Sequence, residues 1–182
     1  MAIQLQVHEI NTNGAVEDLL HSVAQVFNRN LLFGREDDPA PAAVVKPVRG
    51  IKRSFEKYLK ISIEAADAAD TISNVQLITT SVAPSGGVTL EAGAVAAFTA
   101  PLDTDSAVAI NSLFNYTANN PLLVTPADTT YSTGVNADVA IAVNALLGSH
   151  VVLQMDVTPI AIAGQIDANY DPLSVIIRYD EA

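Results

Sequence analysis

Apolar and polar positions alternate with a period of two along much of this chain. Ile3, Leu5 and Val7 alternate with Gln4, Gln6 and His8, as in a strand with one face on a core and the other turned away. The same pattern returns in Leu59, Ile61 and Ile63 between Tyr58, Lys60 and Ser62, and in Val151, Leu153, Met155 and Val157 between Val152, Gln154 and Asp156. Leu173, Val175, Ile177 and Tyr179 repeat it near the end of the chain. Residues 72–82, with Val75 and Leu77 on one face, and residues 88–98 are two further predicted strands; Gly93 in the second marks an expected bulge or close backbone approach. Asn11-Thr-Asn-Gly14, Pro84-Ser-Gly-Gly87 and Asn119-Asn-Pro121 are turn signals between these runs.

Two segments depart from the alternation. Val16, Leu19, Leu20, Val23 and Phe27 recur at helical spacing, and Glu17 and Asp18 sit where a helix dipole favours acids. Residues 15–27 are therefore expected as a short amphipathic helix, against a rival strand reading in which Val23, Gln25 and Phe27 alternate. Residues 139–147 are apolar and alanine-rich, and read either as a short helix or as a buried strand. Short strands separated by Gly, Pro and Asn turns predict a mainly β fold: a single antiparallel β-sandwich domain over 1–182, Ig-like or jelly-roll-like, with the short N-terminal helix added.

Pro39, Pro41 and Pro47 remove backbone donors from the stretch GREDDPAPAAVVKPVRG and block helix continuation. Residues 34–54 are thus expected to form a projecting loop or arm. Such a long unstructured stretch is uncommon inside a compact domain and is often functional. Its first half is acidic (Glu36, Asp37, Asp38) and its second half basic.

Charge sharpens that reading. The 182 residues carry 9 Lys and Arg against 20 Asp and Glu, a net charge of −11. Yet Lys46, Arg49, Lys52, Arg53, Lys57 and Lys60 fall close together, and only Arg178 follows them. A basic band leading into an acidic, apolar body favours contact with another acidic protein surface, a neighbouring copy included. Lys46, Arg49, Lys52, Arg53 and Lys57 are the candidate partner-interface residues. The same net charge argues against nucleic acid and anionic membranes as partners. The opening MAIQLQVHEI lacks the pattern of a secretory signal peptide, and no 18-residue apolar run predicts a membrane span.

Candidate chemistry is sparse. The chain has no cysteine, so disulfides, thiolate nucleophiles and cysteine zinc sites are excluded. His8, His21 and His150 fall on different predicted elements without metal-ligand spacing, and no phosphate-binding or nucleophile-elbow motif occurs. Asp103-Thr-Asp105 supplies two carboxylates to one loop, but no EF-hand glycine or twelfth-position glutamate completes a Ca²⁺ site. Asn115-Tyr-Thr117 matches a glycosylation sequon. Tyr116 and Tyr131, if exposed, could serve as a sugar-stacking platform. No catalytic residue, cofactor or metal is expected.

The segment Arg53-Ser-Phe-Glu-Lys-Tyr-Leu-Lys-Ile-Ser-Ile63 resembles a strand found in small virion structural proteins of tailed bacteriophages. Ile72-Ser-Asn-Val-Gln-Leu77, Gly87-Val-Thr-Leu-Glu-Ala-Gly93, Phe98-Thr-Ala-Pro101, Val151-Val-Leu-Gln-Met-Asp-Val157 and Val175-Ile-Ile-Arg-Tyr-Asp-Glu181 resemble the strands that follow it, in the same order. Residues 34–50 and 105–150 have no counterpart in that pattern. The resemblance implies a non-enzymatic β-sandwich built into a virion that assembles in the host cytoplasm. It implies a capsid decoration (cement) protein on the head exterior, acting as a homo-oligomer through multivalent contacts with the major capsid protein or other virion proteins. A neck or tail component, and a glycan- or receptor-binding module, are the alternative expectations.

Overall fold

The computed structural model describes residues 3–10, 16–21, 26–27, 33, 47–66, 69–79, 87–98, 114–116, 120–134, 137–159 and 175–182. Among these residues all regular structure is β. The strands are β1 (Gln4–Ile10), β2 (Val16–His21), β3 (Val26–Phe27), β4 (Lys52–Arg53), β5 (Lys57–Ala65), β6 (Ile72–Thr79), β7 (Val88–Val95), β8 (Phe114–Asn115), β9 (Leu122–Leu123), β10 (Tyr131–Ser132), β11 (Val139–Ala140), β12 (Leu146–Val157) and β13 (Val175–Glu181). A large sheet runs in the order β3-β2-β1-β5-β12-β7-β8, with β4 also on β12. A small sheet runs β11-β10-β6-β13, with β9 also on β6. Every pairing is antiparallel except that of β10 with β11.

Where a helix is expected over 15–27, the described residues 16–21 and 26–27 are strand instead. β2 lies on β1 with Ile10 opposite Val16 and Gln6 opposite His21, and β3 returns along β2. The reason is cooperative. An isolated helix of about 13 residues is marginal in water. β1, already paired through its other edge to β5, offers a row of backbone donors and acceptors that a strand satisfies at once. The turn expected at 11–14 lies outside the described residues.

One core cluster draws on both sheets. Leu5 and Val7 of β1, Leu59, Ile61 and Ile63 of β5, Leu90 of β7 and Leu153 of β12 pack with Ile72, Val75 and Leu77 of β6 and Tyr131 of β10. Each buried aliphatic side chain contributes about 1.5–3 kcal/mol against its exposed state. The register keeps these residues on one face, with Leu5 opposite Ile63, Val7 opposite Ile61 and Val151 opposite Leu59.

The other face of the large sheet is buried as well. Ile10, Tyr58 and Val152 form a cluster there with Val95 and Phe98. The polar partners of the alternation also lie on this face, and they are hydrogen-bonded rather than solvated. His8 Nε2 meets Ser62 Oγ at 2.7 Å, and Gln154 Nε2 donates to the Ser54 carbonyl at 2.9 Å. The polar positions read from the sequence as outward-facing thus form a second interior layer, hydrogen-bonded at His8, Ser62 and Gln154 Nε2, while Gln154 Oε1 and His150 Nδ1 are buried without a partner among the described residues.

Of the bulge or close backbone approach expected at Gly93, the bulge is not found there. β7 and β12 pair without interruption from Val88–Val157 to Val95–His150, with Gly93 opposite Val152. The irregularity falls in β12 instead. Leu147 pairs with Ile61 and Val151 with Leu59, so Gly148, Ser149 and His150 together face Lys60. The bulge also ties the sheets together. Ser149 N donates to the Val124 carbonyl at 3.0 Å, and Val124 N to the Val75 carbonyl at 2.8 Å.

Candidate interaction surface

The basic band divides when folded. Lys46 lies outside the described residues. Arg49 is exposed, between Val48 at 93% exposure and Ile51 at 53%. Gly50 adopts φ +70 with open space around it, a conformation that needs no side-chain accommodation from glycine. Lys52 and Arg53 form β4, opposite Val157 and Asp156 of β12. Lys52 stays half-buried. Arg53 Nε donates to Asp156 Oδ1 at 3.1 Å.

Lys57 sits elsewhere in the fold. It is 2% exposed, and its ammonium meets Glu9 Oε1 at 2.8 Å. Lys60 is buried on the opposite face of β5 and donates to the carbonyls of Leu147, at 3.2 Å, and Gly148. Strand alternation explains the split. Lys57 is in phase with Leu59 and Ile61, and Lys60 with Tyr58 and Ser62, so each stem is carried into an interior and each ammonium finds oxygen there. The structure therefore brings together Val48, Arg49, Ile51 and Lys52 as a surface tip, and separates Lys57 from them.

Ionisable groups beside the tip feel burial. Asp156 is pushed above its ordinary value by desolvation, with the charge and hydrogen bond of Arg53 pulling it back. Glu91 is raised by burial and then by Asp156, and Arg53 again opposes the shift. Arg53 therefore acts as counter-ion to two carboxylates on β12 and β7, near the end of β12 where β4 pairs.

A second exposed surface was not singled out from sequence. Residues 138–140, 142–144 and 146 are exposed, although 139–147 is one of the most apolar stretches of the chain. Val143 is 55% exposed, and within this run Ile141 leans on the core. The signal was present as an apolar run with ambiguous periodicity; β11 at the edge of the small sheet resolves it as an exposed edge.

The tyrosines expected as a sugar platform are core residues. Tyr116 is 1% exposed and its hydroxyl donates to the Leu77 carbonyl; Tyr131 is buried in the same cluster. Each ring is buried in the core cluster, so neither can stack on a sugar. Asp103 and Asp105 lie outside the described residues, and among the described residues no three His, Asp or Glu side chains gather as a metal-binding group. No helix among the described residues is long and apolar enough to cross a membrane. No family model, curated protein or solved structure matches the chain.

Proposed function

We propose that this chain is a non-enzymatic structural protein of a tailed-phage virion, a decoration protein that binds the head exterior in many copies. In this reading its two sheets face each other as a β-sandwich, because one core cluster takes side chains from both. The observation that carries the proposal is the placement of the resembling segments. Five of the six segments, at 53–63, 72–77, 87–93, 151–157 and 175–181, lie along β5, β6, β7, β12 and β13; in the sixth, Phe98 follows the end of β7 and 99–101 lie outside the described residues. The tip formed by Val48, Arg49, Ile51 and Lys52 meets an acidic protein surface of the capsid or of a sister copy, and many modest contacts together hold the shell.

The test is immunogold electron microscopy of particles from the source lysate, using antibody against this chain. Label spread over the head supports decoration. Label at one vertex or along the tail replaces decoration with a neck or tail role. Particles without label overturn the virion reading and favour a free binding module.

A further inference from the structure

We propose that copies of this chain join head to tail, the 48–52 tip of one seating on the exposed apolar 138–146 run of the next.

The two surfaces lie at opposite ends of one strand pair. At the tip end, Lys52 is opposite Val157 and Lys57 opposite Leu153. At the other end, Leu146 is opposite Ser62, and Asn144 N donates to the Ile63 carbonyl at 2.9 Å. The length of β12, less the two extra residues of its bulge, separates them, roughly 30 Å at about 3.3 Å per residue. A copy therefore cannot seat its own tip on its own run, and the two surfaces meet only between molecules.

Both surfaces are apolar where exposure is unusual. Val48 and Ile51 project around an open Gly50. Val139 and Val143 stand out at the β11 edge of the small sheet. Exposed apolar surface rimmed by polar groups marks interaction sites.

Their charges are opposite. The tip carries Arg49 and Lys52. The acceptor run opens on exposed Asp138, whose carboxylate accepts from Thr130 N at 3.1 Å and Thr130 Oγ1 at 2.9 Å and so holds a fixed position. Exposed Asp180 and Glu181 lie across the same sheet, since Val139 is opposite Tyr131, Tyr131 opposite Ile72 and Ile72 opposite Glu181. Arg178, the one cation of β13, is directed to Gln76 Oε1 at 3.1 Å. Cation beside apolar on one end meets anion beside apolar on the other, which fixes orientation as well as affinity.

A contact between different patches is heterologous. It propagates, closing into a ring or continuing as an open chain. That suits a protein covering a surface in many copies. The inference rests on the assembling reading for its purpose alone, and it is testable without particles.

The experiment is sedimentation velocity of the purified full chain over a concentration series at low salt, with thermal melts as fold controls. Wild type is expected to populate dimers and longer species, weakened by salt. Val48→Asp with Arg49→Glu blocks the tip, and Val143→Asp blocks the acceptor. Each should weaken self-association about tenfold or more. If the Val143→Asp melt falls, Ala142→Glu presents a charge on the same exposed run. An equimolar mixture of the two blocked proteins retains one intact tip and one intact acceptor, so it should form a dimer that grows no further. Wild type monomeric at every concentration, oligomers that survive either variant, or a mixture that stays monomeric overturns the proposal. Failure here leaves the particle labelling unaffected, and unlabelled particles leave this result unaffected.

Discussion

The Lys60 ammonium donates to the carbonyl oxygens of Gly148 and Leu147, across the point where three residues of β12 face one residue of β5. A bulge leaves backbone groups without ladder partners, and here a buried cation from the facing strand takes up the freed carbonyls. Gly148 is required beside it. Its φ is +49, and a Cβ would collide with the Val124 carbonyl. Lys60→Met keeps the stem but removes the donor, and should cost about 1–3 kcal/mol. Gly148→Ala should cost at least about 1–3 kcal/mol from backbone strain alone. Denaturant unfolding midpoints check both. A Lys60→Met protein as stable as wild type would show that the carbonyls find other partners.

Lys57 and Glu9 form an ion pair inside the large sheet's core face, 2.8 Å apart. Removing one partner from a buried pair is costly, whereas replacing both is often nearly neutral. Lys57→Met should therefore cost about 3 kcal/mol, and Lys57→Met with Glu9→Gln should recover most of that loss. Chemical denaturation of the two single variants and the double variant measures the coupling. Additive losses would show that the pair does not act as a unit.

This pair was legible in the sequence. Glu9 continues the phase of Leu5 and Val7, and Lys57 the phase of Leu59 and Ile61, so period-two alternation alone carries both into the core. The clustering of cations along the chain masked it, because neighbours in sequence point to opposite faces of a strand. The strands at 4–10, 57–65, 72–79 and 175–181, and the 151–157 part of β12, were legible for the same reason; the start of β12 was not, because 139–147 reads equally as a short helix or a buried strand. The strand pair at 16–27 was not. Its helical spacing is a local signal, and the free edge of β1 that overrides it exists only once the sheet has formed. Burial of the second sheet face was also hidden, since Lys60, His8 and Gln154 read as solvated until their partners are placed.

His150 should set a pH dependence. It lies against Tyr58 and Phe98, with ring centroids 6.2 and 6.0 Å away. Burial and then the Lys60 charge hold its imidazole below 6.5, with backbone hydrogen bonding at Val95 and Ala96 pulling partly back. A base whose folded pKa is lowered binds protons more readily when unfolded, so stability falls as pH drops below 6.5 and levels off beneath the folded value. Asp156 and Glu91, raised by burial, work the other way: protonating them nearer pH 4 relieves a cost of folding. His150→Gln should therefore flatten the drop in Tm between about pH 7.5 and about pH 5.5. A variant with the wild-type slope would remove His150 as the cause.

Leu153 tests the assignment of faces on β12. It is 1% exposed within the core cluster shared by both sheets, while its neighbours Val152 and Gln154 lie on the other buried face. Leu153→Ala should cost about 2–5 kcal/mol, lost burial and a residual cavity both contributing. Equilibrium unfolding measures it, and a loss under about 0.5 kcal/mol, the level of an ordinary surface change, would place Leu153 outside the core.

Tyr116 follows β8 at the edge of the large sheet and gives its hydroxyl to Leu77 of β6 in the small one. Its backbone N donates to the Leu90 carbonyl at 2.7 Å, so one residue is fixed to both sheets. Burial pushes the phenol up to about 12. An acid with a raised folded pKa is protonated more readily in the fold, so stability declines as pH rises through the unfolded value near 10. Spectrophotometric titration should therefore show one tyrosine ionising well after an ordinary phenol, and Tyr116→Phe should delete that late step. The variant should also lose about 1 kcal/mol, the typical net worth of a hydrogen bond. A late step that persists in Tyr116→Phe would belong to another tyrosine, with Tyr179, also raised by burial and by Glu181, the next to test.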